Sequence, residues 1–474
     1  MRHSIVLLGL LACGVARAAE PPREVAEFLQ KWLADPKVKA PGIGIAAVNR
    51  EGIVWSGGLG YADVERKRPM ASQTRFQFAS VTKVYTALIL AQLVAEHKID
   101  LDAPLTRYVP EFKSRYPVPG APPITVRHLA THTSGLTNWW GSPSHSYTAR
   151  QLVERQQQVG LAAPPGFQEK YSNKGYALLG LVLERATGQS YADLIRQRVF
   201  EPLQLKSSGL TSLPPHPDLA VSYEGEKGKL APQPASELFL AQDPASALVA
   251  TIDDVARFAH AHLAPKPASA ITDEILDLLF TPHTNMSQHT AICLGWHYNG
   301  SGCPYWWHGG AWNAFYSRVV VRPDVGVGLV FSTNGYWTND PTETLVRMLA
   351  PYADTSALDR HCGQYVGPGG KTLTVHRPPG PEMTLEIKGI GRIVPMGRHM
   401  FQIPSASGLN GTWVRFVVED GRQIMLLETD RYVRREAATG TCPPRPTLPS
   451  VPTQIDGIAA GQRSSLFGRC PSGK

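Results

Sequence analysis

The stretch Phe78-Ala79-Ser80-Val81-Thr82-Lys83 opens a long apolar run from Val84 to Ala95, around which the rest of the chain is organised. That run is hydrophobic nearly all round, which predicts a helix buried at the centre of a domain. Ser80 stands at the start of this predicted helix, and Lys83 follows one turn later on the same face. Burial would push the Lys83 amine towards its neutral form. A neutral amine beside a hydroxyl is a general base beside a nucleophile.

The same tetrapeptide also has a purely structural interpretation. Ser80 can cap the helix, while Lys83 extends its charged end to solvent from the first turn. A chain of 474 residues is expected to contain Ser-x-x-Lys about once by chance. The pattern alone therefore favours the structural role, and other parts of the chain must distinguish the two.

Length and composition describe a globular chain of two domains. The 474 residues are 43% hydrophobic and 18% charged, which is enough to bury a large core. The formal charge of +8 is dispersed, and no basic cluster with interleaved aromatic residues indicates nucleic-acid binding. No segment has the length of a transmembrane helix. The cysteine spacing does not resemble a zinc site and no H-E-x-x-H occurs, so we expect neither a metal nor another cofactor.

Residues 1–18 are typical of a secretory signal peptide. A basic start precedes an apolar stretch from Ile5 to Ala12, and small residues follow at Ala16 and Ala18. We therefore expect a periplasmic or secreted protein. A lipoprotein processing site at Cys13 is the less favoured alternative, because the apolar region before it is short.

Export makes disulfides possible, but the odd number of later cysteines leaves one without a partner. Pairing of Cys293 with Cys303 and pairing of Cys362 with Cys442 both stay open at this point. The later cysteines are Cys293, Cys303, Cys362, Cys442 and Cys470.

Hydrophobic periodicity predicts early strands, central helices and late strands. Strands are expected at 42–48, 53–57, 295–298, 305–308, 317–321 and 326–332. Besides the central helix that starts at Ser80, helices are expected at 22–34, 171–186, 252–263 and 341–352. That order predicts one sheet assembled from both ends of the domain, with a helical insertion packed beside it.

The pattern of hydrophobic residues changes after about residue 358. Alternating apolar residues and a tight turn at Asp420-Gly421 predict a small all-β domain, either a barrel or a sandwich. The tail from Pro443 is rich in Pro, Ser and Gly and is expected to be flexible. The predicted organisation is a signal peptide at 1–18, a main domain at 19–357, a barrel-like domain at 358–442 and a tail at 443–474.

Two further motifs carry candidate chemistry. Tyr171-Ser172-Asn173 precedes a predicted helix, where a tyrosine near a lysine can have a lowered phenol pKa and move protons. The Asn173 amide can face a substrate carbonyl or Lys83. His308-Gly309-Gly310-Ala311 ends an aromatic strand, where a backbone N–H can donate to an oxyanion. Considered one at a time, each motif is explained better by a structural role than by catalysis. Tyr171-Ser172-Asn173 would be a helix cap with a packed tyrosine, and His308-Gly309-Gly310 a strand-edge bulge with a structural histidine.

Together the three motifs resemble, in order and spacing, those of the serine β-lactamase and penicillin-binding-protein superfamily. The likeness is strongest to its class C-like branch, which includes class C β-lactamases, D-alanyl-D-alanine carboxypeptidases, D-aminopeptidases and esterases of that fold. The LATHTSGL segment at 129–136 resembles the family's LLTHTSGL, and the likeness covers residues 24–352. It implies an α+β fold (an α/β sandwich): a mainly antiparallel sheet flanked by helices, with an all-helical subdomain. The small C-terminal all-β domain is similar to extensions of some members.

The resemblance also implies roles for individual residues. Ser80 would be the acylated nucleophile, with Lys83 and Tyr171 sharing the proton transfers. The backbone N–H groups of Ser80 and Ala311 would form the oxyanion hole, and Tyr171 would help to activate the deacylating water. The substrate side of the site would be lined by Asn173, His308 and Gly310.

One departure from the family's pattern concerns charge. Many members carry a lysine where this chain has His308, and histidine is mostly neutral above its ordinary pKa of about 6.5. The site therefore lacks a permanent cation that could bind a substrate carboxylate, and this weakens the case for an efficient β-lactamase. Several tryptophans near the motifs would either wall an apolar pocket or belong to the core: Trp139, Trp140, Trp306, Trp307 and Trp312.

The expected activity is that of a serine hydrolase acting through an acyl-enzyme on an ester, a D-amino-acid peptide or amide, or a β-lactam. Its substrate would be a small molecule or a peptide, including peptidoglycan fragments. The alternative is a non-catalytic relative, or a peptidoglycan- or β-lactam-binding protein that deacylates slowly. No G-x-S-x-G occurs, so an α/β-hydrolase would lack its nucleophile turn. His128 and His132 are expected to be structural.

Overall fold

The structure is a computed structural model. It describes residues 19–114, 120–138, 148–157, 160–210, 216–234, 243–263, 270–285, 290–301, 303–381, 383–396, 400–405, 408–419, 422–427 and 430–435. The predicted signal peptide, the C-terminal tail, Trp139, Trp140 and the Asp420-Gly421 turn lie outside these residues.

Helices and strands are numbered in chain order. The helices are α1 Arg23–Ala34, α2 Thr82–Ala95, α3 Val126–Ala130, α4 Ala149–Gln156, α5 Asn173–Thr187, α6 Tyr191–Ile195, α7 Asp243–Ser246, α8 Ile252–Ala261, α9 Asp273–Phe280, α10 Thr342–Arg347 and α11 Ser356–Asp359. The strands are β1 Val38–Lys39, β2 Gly42–Asn49, β3 Ile53–Asp63, β4 Arg68–Pro69, β5 Arg75–Ala79, β6 Gly209–Leu210, β7 Tyr223–Glu226, β8 Lys229–Pro232, β9 Leu248–Thr251, β10 Thr284–Asn285, β11 Thr290–Ile292, β12 His297–Asn299, β13 Tyr305–Trp312, β14 Phe315–Arg322, β15 Val327–Thr333, β16 Tyr336–Trp337, β17 Gly363–Val366, β18 Thr372–His376, β19 Leu385–Ile387, β20 Gly391–Pro395, β21 Met400–Ser405, β22 Gly408–Glu419, β23 Arg422–Leu427 and β24 Asp430–Arg434.

The main sheet joins the two ends of its domain, as predicted. Its order is β10-β11-β12-β13-β14-β15-β2-β3-β4. The late strand β15 pairs antiparallel with the early strand β2, and Val330 lies opposite Ala46. The strand β13 continues to Trp312, beyond the predicted end at 308. His308 and Gly310 therefore lie inside a paired strand rather than at its end.

Helix α2 lies in the centre of the main domain. Every residue from Thr82 to Leu93 is buried, which confirms the prediction from its uniform hydrophobicity. Tyr85 stacks on Phe258 of α8, with ring centroids 3.8 Å apart. The helix begins at Thr82, two residues later than its predicted start at Ser80. Ser80 is thus a turn residue, and its side chain is available for contacts other than capping.

Helix α8 brings the sheet and α2 together. A Cβ at Gly44 of β2 would lie 2.8 Å from a side-chain carbon of Ile252, so α8 packs closely on the strand. The helices α2, α5, α6, α8 and α9 and one face of the sheet share a single apolar core. Ile43 and Ile45 are fully buried outside that core, so β2 is covered on both faces. This arrangement fits the α+β class.

The C-terminal strands β17 to β24 close into a barrel, which decides between the two predicted all-β architectures. The barrel strands contact the residues that precede them. The guanidinium of Arg322, at the end of β14, donates to the Met383 carbonyl oxygen at 2.8 Å, and Val394 and Met396 join the main apolar core. Among the described helices, none is both long and apolar enough to cross a membrane.

Candidate active site

Ser80 lies in the tight turn between β5 and α2. The residue before it, Ala79, has a left-handed φ of +45°, which is costly for a residue with a Cβ. The Thr82 hydroxyl donates to the Ala79 carbonyl oxygen at 2.6 Å and accepts from the Leu248 N–H at 2.9 Å. Ser80 itself is partly exposed. The turn therefore presents the Ser80 hydroxyl at the surface of a rigid core.

Lys83 is completely buried beneath this turn. Its Nζ lies 3.1 Å from Ser80 Oγ, 2.7 Å from Asn173 Oδ1 and 2.8 Å from the Ala245 carbonyl oxygen. Burial holds the pKa of Lys83 well below its ordinary value, as expected, because the charged form loses its hydration. Lys83 is therefore a buried amine in direct contact with the candidate nucleophile.

Tyr171 reaches the same serine from the segment before α5. Its phenol hydrogen-bonds with the Ser80 side chain, and Lys83 Nζ lies 4.9 Å from the centroid of its ring. Burial raises the pKa of Tyr171, which corrects the expectation of a lowered value. Desolvation outweighs the stabilising hydrogen bond to Ser80, and the nearby Glu169 carboxylate disfavours the phenolate further. The phenol therefore stays protonated at neutral pH.

Asn173 connects α5 to Lys83, which is one of the two roles expected for it. Its Oδ1 accepts from the Lys83 amine, and its backbone N–H donates to Asn138 Oδ1 at 3.0 Å. Ser172 caps α5 by accepting from the Gly175 N–H at 3.0 Å. Sequence reasoning missed both Asn138 and the Ala245 carbonyl, since neither position belongs to a recognisable pattern.

The strand β13 passes directly beside the Ser80 turn. A Cβ at Gly310 would lie 1.9 Å from the Phe78 carbonyl oxygen, so only glycine allows this approach. Ser317, opposite Gly310 on β14, donates its hydroxyl to the same oxygen at 3.1 Å. Ala311 follows on the strand and is partly exposed. Gly310 thus brings the backbone of β13 against the residues that lead to Ser80.

His308 is buried on the same strand. Its Nδ1 lies 2.7 Å from the Gly309 carbonyl oxygen, and its Nε2 has no hydrogen-bond partner among the described residues. Burial holds the pKa of His308 well below its ordinary value, and the neighbouring His297 and Lys83 lower it further. The ring centroids of His308 and His297 are 5.0 Å apart. Position 308 therefore carries a neutral imidazole.

The histidines of the LATHTSGL segment differ from each other. His128 is structural as expected, because its Nδ1 accepts from the Thr125 N–H at 3.2 Å and completes the cap of α3. His132 instead packs on Tyr171, with ring centroids 4.3 Å apart.

Trp306 belongs to the core, whereas Trp307 and Trp312 are partly exposed.

Cys293 and Cys303 are buried and are not joined by a disulfide. Cys442 and Cys470 lie outside the described residues, so the alternative pairing of Cys362 with Cys442 is not tested. Within the described part of the chain, no three His, Cys, Asp or Glu side chains come together as a metal site.

The chain belongs to the β-lactamase family, because the family model described as Beta-lactamase matches residues 23–350. Esterase EstB of Burkholderia gladioli is 35% identical over 198 residues, which cover 38% of this chain and 50% of the esterase. The chain thus spans about half the length of that relative. Penicillin-binding protein 4 of Amycolatopsis lactamdurans is 32% identical over 281 residues, which cover 55% of this chain and 72% of that protein.

The solved structure of the octameric penicillin-binding protein homologue from Pyrococcus abyssi has a similar fold. The TM-score is 0.60 at 22% sequence identity, and the match covers 87% of this chain and 99% of that chain. This likeness confirms the β-lactamase/transpeptidase-like fold.

Proposed function

We propose that the protein is a class C-like serine hydrolase that forms an acyl-enzyme on Ser80. The observation that carries the proposal is the 3.1 Å contact between Lys83 Nζ and Ser80 Oγ, with the amine fully buried. A neutral amine has two N–H groups and one lone pair. Asn173 Oδ1 and the Ala245 carbonyl oxygen accept the two N–H groups, which leaves the lone pair for the Ser80 proton.

The protonation states suggest how the protons move. As Ser80 Oγ bonds to the substrate carbonyl carbon, its proton passes to Lys83. The bond to the leaving group then breaks, and the protonated phenol of Tyr171 gives that group a proton, which Lys83 replaces. In deacylation, water attacks the acyl carbon and gives its proton to Lys83. The bond to Ser80 Oγ then breaks, and Lys83 returns that proton through Tyr171 to Oγ. Tyr171 relays protons without persisting as a phenolate.

Two backbone N–H groups are proposed to bind the oxyanion, those of Ser80 and Ala311. The close approach that Gly310 allows between β13 and Phe78 supports this pairing, because it brings Ala311 beside the nucleophile turn. Asn173 and His308 would border the substrate. Asn173 is partly exposed, so its remaining amide atoms can also meet a substrate.

The substrate class proposed here is an ester or a D-amino-acid peptide or amide, in preference to a β-lactam. A neutral His308 offers no charge to a substrate carboxylate, whereas an ester or a peptide carbonyl needs none at this position.

Export and domain organisation are also proposed from the sequence. The pattern of residues 1–18 supports a signal peptide and a periplasmic or secreted location. The barrel strands between Gly363 and Arg434 support a division of the mature chain near residue 358, with a tail after 442.

Active-site labelling tests the mechanism. The purified full chain is incubated with a fluorophosphonate or a fluorescent penicillin, and the modified peptide is identified by mass spectrometry. Label is expected on Ser80 in the wild type and is expected to be lost in Lys83→Ala. Lys174→Ala is the matched control, because Lys174 is also buried but donates to Thr137 at 3.0 Å. Label on another residue would refute the proposal, and a penicillin adduct that persists without ester turnover would favour the slowly deacylating binder.

A further inference from the structure

His132 forms hydrogen bonds with the backbone N–H groups of the residues before and after Tyr171. Its backbone carbonyl oxygen accepts from the Lys170 N–H at 2.6 Å, and its ring Nδ1 accepts from the Ser172 N–H at 3.1 Å. The His132 and Tyr171 rings also lie against each other, with centroids 4.3 Å apart and planes tilted by 33°. One residue therefore contacts the peptide groups on either side of Tyr171 and the ring itself.

His132 is itself held in place. It is 3% exposed and has a left-handed φ of +57°, which the surrounding turn maintains. The centroid of its ring also lies 5.1 Å from the ring centroid of Tyr176 on α5. The Tyr176 hydroxyl donates to the Ala130 carbonyl oxygen at 2.9 Å, which ties α5 to the segment that carries His132. Because His132 is held by these contacts, it can fix the position of the Tyr171 ring that packs on it.

We infer that His132 is the positioning residue that aims the Tyr171 phenol at Ser80. The inference rests on the proposed function, in which Tyr171 gives a proton to the leaving group. Nδ1 must be unprotonated to accept from the Ser172 N–H, so His132 acts as a neutral acceptor with its proton on Nε2. Loss of this acceptor leaves the Ser172 N–H without its partner and frees the Tyr171 segment to shift. A shift of the order of 1 Å can cost about 100-fold in rate.

The chain provides a matched control. His128 uses the same kind of bond, because its Nδ1 accepts from the Thr125 N–H at 3.2 Å, but its bond caps α3 and does not involve Tyr171. His132→Phe keeps a ring and removes the acceptor. His132→Asn keeps an acceptor and removes the ring.

A double-mutant cycle tests the inference with two esters of one acid, phenyl butyrate and p-nitrophenyl butyrate. Phenol is the poorer leaving group, so its departure depends more on a proton from Tyr171. His132→Phe is expected to lower kcat/KM on phenyl butyrate by about tenfold and on p-nitrophenyl butyrate by much less, because kcat/KM reports acylation, the step in which the leaving group departs. In the Tyr171→Phe background, the same substitution is expected to change kcat/KM by less than about twofold. His128→Phe is expected to affect both esters equally.

The possible failures are distinguishable. An equal loss from His132→Phe in both backgrounds, or on both esters, would overturn the positioning role of His132. If Tyr171→Phe alone leaves turnover of phenyl butyrate unchanged, the proposed function of Tyr171 fails instead. Thermal unfolding is measured for each variant, and if His132→Phe does not fold, His132→Leu, which also lacks the acceptor for the Ser172 N–H, closes the same cycle with the same two criteria. His132→Asn, which keeps an acceptor, is expected to lose less activity on phenyl butyrate than either variant.

Discussion

The backbone of Gly310 presses against the carbonyl oxygen of Phe78, and a Cβ at position 310 would lie 1.9 Å from that oxygen. The oxygen also accepts from the Val81 N–H at 3.1 Å, so it belongs to the turn that presents Ser80. The contact is between backbone atoms on both sides, and neither strand can move aside by rotating a side chain. The position of β13 and the position of the nucleophile turn are therefore coupled.

Because of this contact, we expect a single methyl group added at position 310 to lower the activity strongly. Gly310→Ala is expected to lower kcat for ester hydrolysis by about 100-fold, because β13 or the Ser80 turn must shift by about 1 Å. Overpacking of the same site should also cost about 1–3 kcal/mol in the free energy of unfolding. Steady-state kinetics and chemical denaturation measure the two effects.

Gly209→Ala serves as the control for Gly310→Ala. A Cβ at Gly209 meets nothing within 4 Å, and the φ there does not favour glycine. Its kinetics and unfolding should stay close to those of the wild type. Wild-type turnover by Gly310→Ala would show that the two backbones are not coupled.

The burial of Lys83 predicts a dependence of stability on pH. Its pKa in the folded protein is well below the value of about 10.4 in an unfolded chain. Between these two values, the unfolded state binds a proton that the folded state does not, so the wild type loses stability as the pH falls. Lys83→Met lacks this proton uptake. The melting temperature of Lys83→Met minus that of the wild type should therefore become more positive between pH 10 and pH 7.

Lys174→Met provides the comparison for that measurement. Burial lowers the pKa of Lys174 to about 8, so its contribution should change between about pH 10 and pH 8 and then level off. A melting-temperature difference for Lys83→Met that does not vary with pH would contradict a buried neutral amine.

Local patterns of sequence predicted the parts of the fold that depend on local chemistry. The uniform hydrophobicity of α2 predicted its burial, and the apolar runs at β2 and β15 predicted strands of one sheet. The contact of Lys83 with the Ala245 carbonyl oxygen could not be predicted, because it joins residues 162 positions apart and uses a backbone atom that every residue has. The pKa of Tyr171 was predicted in the wrong direction for a related reason. Its burial is set by tertiary packing, which outweighs the hydrogen bond to Ser80.

The neutral imidazole of His308 predicts how substrate preference can be changed. Because its Nδ1 lies 2.7 Å from the Gly309 carbonyl oxygen, Nδ1 carries the proton and Nε2 is an acceptor. An acceptor disfavours a substrate carboxylate, whereas a lysine ammonium attracts it. In His308→Lys, the ratio of kcat/KM for nitrocefin, which carries a carboxylate, to kcat/KM for p-nitrophenyl butyrate should rise by about tenfold or more, or about 1.4 kcal/mol. His308→Asn removes the imidazole without adding charge and should leave that ratio within about threefold of wild type. An equal rise in both variants would assign the preference to space at position 308 rather than to charge.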